Sequence, residues 1–431
     1  MVGRSSEMPE TPRLRRQPVH TVYGGAHLFK PDTTAKLGAI ALRTLREYAP
    51  DAGALAGGLG LDPALAARIY PRIVDKLERE PVEDYRLDFE DGFGNRPDEE
   101  EDAVARQAAA NVATGLAAGR LPAGIGIRIK TLSEEALGRR SLRTFDIFLT
   151  ALVSATGGTL PDGFVVTLPK ITAPDQVARL AAACATFEHA HSLPAGALRF
   201  EVMVETPQSI FLPDGRVALP SLIAHGGGRI VAAHFGAYDY TAALGITAAH
   251  QHMMHPACDF ARQMMQVSLA GTDVWLSDGA TNVMPVPPHK APPGGALSNA
   301  EQDANTAAVQ NAWRLHANQI HHSLVNGFYQ GWDLHPAQLP ARFAAVYAFF
   351  FDGLAPASAR LKNFVQKAAQ ATLVGEVFDD AATGQGLLNY FLRAMNCGAI
   401  TEEEAVDKSG LTLAELRGRS FVKILKSKSK S

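Results

Sequence analysis

Cysteine is scarce in this chain: there are three in 431 residues, Cys184, Cys258 and Cys397, odd in number and without ligand spacing. That excludes a disulfide framework and fits reduced, cytosolic thiols. An excess of charge of one sign is also missing. Lys and Arg total 41 against 44 Asp and Glu, for a net charge of −3. Such a balance lends no support to a nucleic-acid or anionic-membrane partner. No apolar run approaches the roughly 20 residues that span a bilayer. The polar start of the sequence, with Arg13, Arg15 and Arg16 and no apolar segment behind them, does not read as a secretory signal. A cytoplasmic protein with no nucleic-acid and no membrane partner is expected.

What is present suits a large α/β domain. Hydrophobic residues make up 46% and charged residues 20%, enough for a sizeable core. Eight strand-like segments can be read, at about 20–29, 85–91, 125–130, 164–170, 198–206, 229–239, 273–278 and 331–335. Ala- and Leu-rich stretches with helical spacing separate most of them, such as 98–118 and 174–188. Asp98, Glu99, Glu100 and Glu101 follow Pro97, where acids favour a helix N-terminus. Eight β-α alternations predict a (β/α)8 TIM barrel rather than a doubly wound sheet.

Two stretches depart from this rhythm. Residues 279–299 are rich in Pro, Gly, Ala and Asn and cannot be regular; following the seventh strand, they are expected to overhang the loop face as a lid. After about residue 340, strand signals stop and helices are predicted at 341–351, 357–373, 386–396, 401–407 and 411–423. The expected layout is a flexible arm at 1–19, the barrel at 20–340 and a small helical C-terminal domain at 341–431.

Two segments carry most of the chemistry. Glu201-Val-Met-Val-Glu-Thr-Pro-Gln208 and Phe235-Gly-Ala-Tyr-Asp-Tyr240 are apolar runs that stop at a carboxylate, Glu205 and Asp239. Parallel barrels build their sites at the carboxyl ends of strands. Two acids there, one βα unit apart, can share a hard divalent cation that keeps several waters. Further polar positions stand at other strand ends: Asp88-Phe-Glu-Asp-Gly92, Arg128, Leu168-Pro-Lys170, Ser277-Asp-Gly279 and Trp332-Asp-Leu-His-Pro-Ala-Gln338.

This ordered succession resembles the citrate lyase beta-subunit and malyl-CoA lyase branch of the HpcH/HpaI aldolase superfamily, over roughly residues 20–340. The resemblance implies a Mg²⁺-dependent carbon–carbon lyase or aldolase acting on a small 2-oxo or 2-hydroxy acid, with Mn²⁺ as a possible substitute. Glu205 and Asp239 would hold the metal, which stabilises an enolate. Arg128 would pair with the substrate carboxylate, and Glu90 and Asp91 would orient waters or relay protons. Lys170, Gln208 and His335 are further candidate substrate contacts. Each has a plainer alternative: an ion pair for Lys170, a helix cap for Gln208, and orientation of the last strand end for His335.

The resemblance has its departures. Asp91 stands where hydroxyheptenedioate-type aldolases place a His. The first strand reads Val22-Tyr-Gly-Gly-Ala-His-Leu-Phe29, without the Val-Pro-Gly and Arg-Pro of many CoA-ester members, which counts against CoA. A CoA-ester lyase, condensing enzyme or thioesterase stays open as the alternative, as does a non-catalytic barrel subunit of a larger complex. Relatives take a proton-transferring Asp from the C-terminal region, where Asp352, Asp379 and Asp380 are candidates, and a homo-oligomer is expected. The cluster His250-x-His252-x-x-His255 lacks the i, i+4 spacing of a zinc-binding helix and reads as a decoy. The pair His321-His322 is expected on a helix surface or at an interface.

Overall fold

The computed structural model describes residues 16–373 and 381–428. Eight parallel strands close on themselves in sequence order: β1 (His20–Gly25), β2 (Asp84–Asp88), β3 (Gly124–Arg128), β4 (Val165–Leu168), β5 (Arg199–Val204), β6 (Ile230–Phe235), β7 (Trp275–Ala280) and β8 (Gln330–Asp333). β8 pairs back to β1, His20 lying opposite Gly331 and Val22 opposite Asp333. The fold is therefore the expected (β/α)8 barrel, each strand lying within one or two residues of its predicted place at the start. Several end earlier than read. β6 stops at Phe235, so Asp239 lies in the first turn of the helix Ala237–Ala243 rather than at the strand end.

Alternation along each strand builds the two sides of the wall. On β5, Phe200, Val202 and Val204 are buried in the shell between strands and helices, while Glu201 crosses the bore to Arg86 on β2. Side chains of successive strand residues point to opposite faces, which is why one strand serves both. The bore is polar where many barrels are filled by branched apolar side chains. Arg86 donates Nε and Nη2 to Glu201 at 3.0 and 2.6 Å and Nη1 to Asp84. Thr167 donates to Glu201 at 2.8 Å and Thr21 to Asp84 at 2.9 Å. Each buried charge thus meets an opposite one, the condition under which burial of charge is tolerated.

Outside the wall, helices Thr33–Tyr48, Ala52–Leu59 and Pro63–Arg79 fill the connection from β1 to β2, and Asp98–Ala117 and Pro174–Ala190 stand where the periodicity predicts them. Asp333 locks the seam of the barrel. It accepts from or pairs with His20 Nδ1 at 2.7 Å, His316 Nε2 at 2.8 Å and the Arg342 guanidinium, tying β8 to helices Asn299–Val325 and Leu339–Leu373.

The C-terminal helices correct the sequence reading twice. Leu339–Leu373 is a single helix that contains Pro356, where two helices were expected. Proline removes one backbone donor and crowds the carbonyl four residues earlier. Leu354, Ala357 and Leu361 are buried on either side of it, and that packing carries the helix through. Conversely, the expected helix at 411–423 is two, Leu413–Arg417 and Phe421–Lys428, because Arg419 between them adopts φ 54°. Helices Ala381–Asn396 and Glu402–Ser409 agree with expectation. Asp352 is exposed, and Asp379 and Asp380 fall outside the described residues, as does most of the expected N-terminal arm.

Candidate active site

Loops leaving the carboxyl ends of five consecutive strands converge. Glu90 and Asp91 follow β2, Arg128 ends β3, Lys170 follows β4, Glu205 is the first residue after β5, and Asp239 follows β6. The strand-end rule for barrels therefore holds for every one of these elements.

Asp88 organises the first part. Its carboxylate accepts the amides of Glu90 at 2.9 Å and Gly92 at 2.7 Å, which turns the chain sharply once β2 has ended. The same oxygens take Nε and Nη2 of Arg128 at 2.8 and 2.5 Å. One edge of the guanidinium is thus committed to Asp88, while Nη1 lies 3.1 Å from Glu90 Oε2 and 3.6 Å from Asp91. Arg128 also sits over the Tyr23 ring, 4.9 Å from its centroid.

Lys170 bridges the two halves of the cluster. Its ammonium donates to Glu90 at 2.6 Å and Asp91 at 2.8 Å, and its backbone amide donates to Glu205 at 2.6 Å. Glu205 is buried, and a Cβ added to Gly236 would lie 2.5 Å from both its Cβ and its Oε2. Glycine at 236 is therefore what lets the β6 loop close over the acid and bring Asp239 near.

The electrostatics follow from this crowding. Burial, with the charges of Asp239 and Glu90 beside it, pushes the Glu205 carboxyl up to about 8. Burial also raises Asp239, reinforced by Asp91 and opposed by Lys170. Glu90 is raised by burial, against the pull of Arg128. For Asp91 burial works upward too, but Lys170 and Arg128 together outweigh it and hold the group below its ordinary value. Four carboxylates thus face two cations, and one of those cations is already gripped by Asp88.

Such a cluster is short of positive charge. Among the described residues, no group of three or more His, Cys, Asp or Glu side chains is arranged to hold a metal. Mg²⁺ asks for less: one or two carboxylates, with waters and substrate oxygens completing its octahedron. Glu205 and Asp239 fit that requirement, since both are oxygen donors and a cation would favour the ionised forms that burial now disfavours.

Six of the residues singled out from the sequence therefore meet: Glu90, Asp91, Arg128, Lys170, Glu205 and Asp239. Gln208 does not join them through any hydrogen bond. It is exposed, and the cap of the turn Pro207–Ser209 comes from Thr206 instead. His335 is half-buried, and its Nδ1 accepts the amide of Ala337 at 3.1 Å, capping the turn Pro336–Gln338. The His cluster has structural roles: His250 closes a short turn, His255 caps the helix Pro256–Leu269, and the His252 and His255 rings meet edge to face with centroids 6.0 Å apart. His322 pairs with Asp259 at 2.8 Å.

Gly236 and Tyr238 were missed, and Asp88 was quoted at its strand end without a site role. Asp88 and Gly236 act as above, and Tyr238 donates its phenol to the carbonyl of Ala280 at 2.8 Å and accepts the amide of Asn282 at 3.0 Å. That pair moors the start of the irregular stretch 281–298 beside Asp239, and Asn305 moors it again at His289. Alternation of Asp84, Arg86 and Asp88 along β2 was the signal for Asp88: three charges on one face of a strand must meet partners in the bore. Nothing in the local sequence distinguishes Gly236 or Tyr238.

The fold and site define a TIM barrel with a carboxylate-rich centre at the carboxyl ends of its strands. Residues 7–424 match the family described as a domain of unknown function, DUF6986, and the chain belongs to that family. No curated protein matches the sequence. Among solved structures, a citrate lyase from Burkholderia xenovorans LB400 superimposes with a TM-score of 0.53 at 18% identity, covering 92% of this chain and 98% of that one. A malate synthase from Haloferax volcanii, in a magnesium/glyoxylate complex, gives 0.49 at 13% identity over 96% and 98%. The citrate lyase likeness is one of fold: the barrel expected from the motifs is the barrel found.

Proposed function

We propose that this protein is a Mg²⁺-dependent carbon–carbon lyase or aldolase that acts on a small 2-oxo or 2-hydroxy acid. The observation that carries the reading is the buried carboxylate Glu205, pushed up to about 8 by its enclosure and by Asp239 and Glu90. A cation bound between Glu205 and Asp239 would offset the cost of ionising both acids.

Glu205 and Asp239 would hold the metal, which supplies Lewis acidity to a substrate carbonyl. The remaining residues divide the other tasks. Arg128 turns Nη1, the edge not taken by Asp88, toward the site, where it can meet a substrate carboxylate. Lys170 holds Asp91 ionised and adds positive field where enolate charge develops. In the cleavage direction a hydroxyl proton is lost, the carbon–carbon bond breaks toward the carbonyl, and a proton returns to carbon. Glu90, raised by burial and hydrogen-bonded to Lys170, is suited to hold the travelling proton on its carboxylate.

The test is a Mn²⁺ titration followed by water-proton relaxation, with and without pyruvate, oxaloacetate, glyoxylate and acetyl-CoA. One tight site per chain is expected, with relaxation that changes on adding one oxo acid and with affinity at least about tenfold weaker in Glu205→Gln and Asp239→Asn. Unchanged affinity in both variants would mean that the acids are structural, and the lyase reading would fall. A response to acetyl-CoA would move the reading to a CoA ester.

A further inference from the structure

Buried arginines in this protein come with carboxylates. Arg86 has Asp84 and Glu201, Arg128 has Asp88, Arg140 has Asp102, Arg262 has Asp278 and Arg342 has Asp333. Arg393, half-buried on the helix Ala381–Asn396, differs from them. Its guanidinium lies against the Tyr329 ring, 3.8 Å from the centroid, and Nη1 donates to Gln17 Oε1 at 3.0 Å. Among the described residues it meets no carboxylate. Burial pulls its pKa downward and only Tyr329 opposes the shift.

This side chain borders a cavity of about 230 Å³ between the amino-terminal end of the barrel and the C-terminal helices. Gln17, Val19 and Trp275 line it from the barrel, and Asn389 and Asn396 from the helix that carries Arg393. A guanidinium has five N–H donors in a planar fork that matches the geometry of a carboxylate or phosphate. Here one donor is used among the described residues, and the Tyr329 ring holds the plane of the rest. A larger cavity of about 730 Å³ adjoins at Trp275, but its Arg16 and Arg86 are already neutralised by Glu80, Glu83, Asp84 and Glu201, and its third arginine, Arg199, shares the lining with Asp162 and Asp273. An anion gains little there.

We propose that the smaller cavity is a second binding site, for a compact oxyanion such as a carboxylate or a phosphate, with Arg393 as its anchor and the amides of Asn389 and Asn396 beside it. The site lies at the pole of the barrel opposite to Lys170 and Glu205, so its occupant does not compete with a substrate at the carboxyl ends of the strands. The proposal stands independently of the lyase reading.

The experiment titrates the full-length protein with inorganic phosphate and, separately, with acetate. Ionic strength is held constant with chloride, and thermal midpoint and tryptophan emission are followed. A saturable rise in the midpoint and a change in emission are expected with at least one anion. In Trp275→Phe the emission change should vanish while the midpoint shift remains, placing the anion in this cavity. In Arg393→Met both responses should vanish, while the midpoint without anion equals or exceeds that of the parent because an uncompensated charge has been removed. Arg393→Lys, which keeps the charge and loses the fork, should weaken binding about tenfold. Phosphate alone acting would name a phosphate site, and both anions acting a carboxylate-type site. The proposal is overturned if neither anion saturates, or if Arg393→Met or Arg393→Lys binds as tightly as the parent.

Discussion

The backbone amide of Lys170 donates to Glu205 at 2.6 Å from a residue held at φ 50°. A left-handed conformation costs a residue with a Cβ about 1–2 kcal/mol. The turn sends the amide to one acid and the ammonium to two others, so a single position contacts both halves of the cluster. Two substitutions separate the contributions. Lys170→Gly keeps the amide and relieves the strain, whereas Lys170→Met keeps the strain; both remove the charge. Both should lower kcat/KM by about 10²-fold or more on the oxo acid selected by relaxation titration. Lys170→Gly should unfold at higher urea than Lys170→Met. Full turnover in either variant would remove Lys170 from the machinery.

Gly236 faces Glu205 so closely that a methyl group cannot be added without moving the acid. Gly236→Ala should therefore destabilise the fold by about 1–3 kcal/mol through overpacking. It should also weaken Mn²⁺ binding, although residue 236 carries no ligand. A stability loss with unchanged Mn²⁺ affinity would show that Glu205 can shift without consequence for the cation.

The raised carboxyl of Glu205 makes stability depend on pH in a definite direction. Its value moves from an ordinary 4.5 to about 8 on folding. Between those values the folded protein binds more protons than the unfolded chain, so stability falls as pH rises. Glu90 and Asp239 are raised as well and act in the same sense. In metal-free protein, calorimetry should find the thermal midpoint declining from about pH 5 to about pH 8. Saturating Mg²⁺ favours the ionised pair, so the midpoint shift it produces should grow toward the alkaline end. A Mg²⁺ shift independent of pH would contradict the assignment of the cation to Glu205.

How much of this was legible depends on how local each signal is. The barrel could be read because eight apolar runs alternate with helical stretches, and hydrophobic periodicity is a property of a few neighbouring residues. Glu205 and Asp239 were found for the same reason, each closing such a run. The helix Ala237–Ala243 was not, because a seven-residue helix offers too little period to separate it from the strand before it. Positions decided by distant partners were invisible. Whether Arg128 spends its fork on Asp88 or on a ligand depends on how two neighbouring strands align, with Asp88 opposite Arg128 in the ladder. Likewise, nothing near Arg393 in sequence shows that no acid among the described residues waits across the cavity. The helix through Pro356 makes the same point from the other side: propensity argued for a break, and burial of its flanks overrode it.

Glu201 shows what the polar bore contributes to stability. It is buried on β5 and receives two donors from Arg86, one from Thr167 and a close approach from His234 Nε2 at 3.1 Å. Its carboxyl is held well below its ordinary value: burial works against the charge, but Arg86 and His234 together outweigh it. Removing one partner alone strands the other charge in the interior. Arg86→Met and Glu201→Leu should each cost about 3–5 kcal/mol in urea unfolding. The double variant leaves neither charge unpaired by the other, so its loss should fall short of the sum of the two singles by at least about 1 kcal/mol. Additive losses would mean that the two side chains are stabilised independently, Arg86 by Asp84 and Glu201 by Thr167 and His234. The bond across the bore would then be a consequence of the closed barrel rather than one of the contacts that hold it closed.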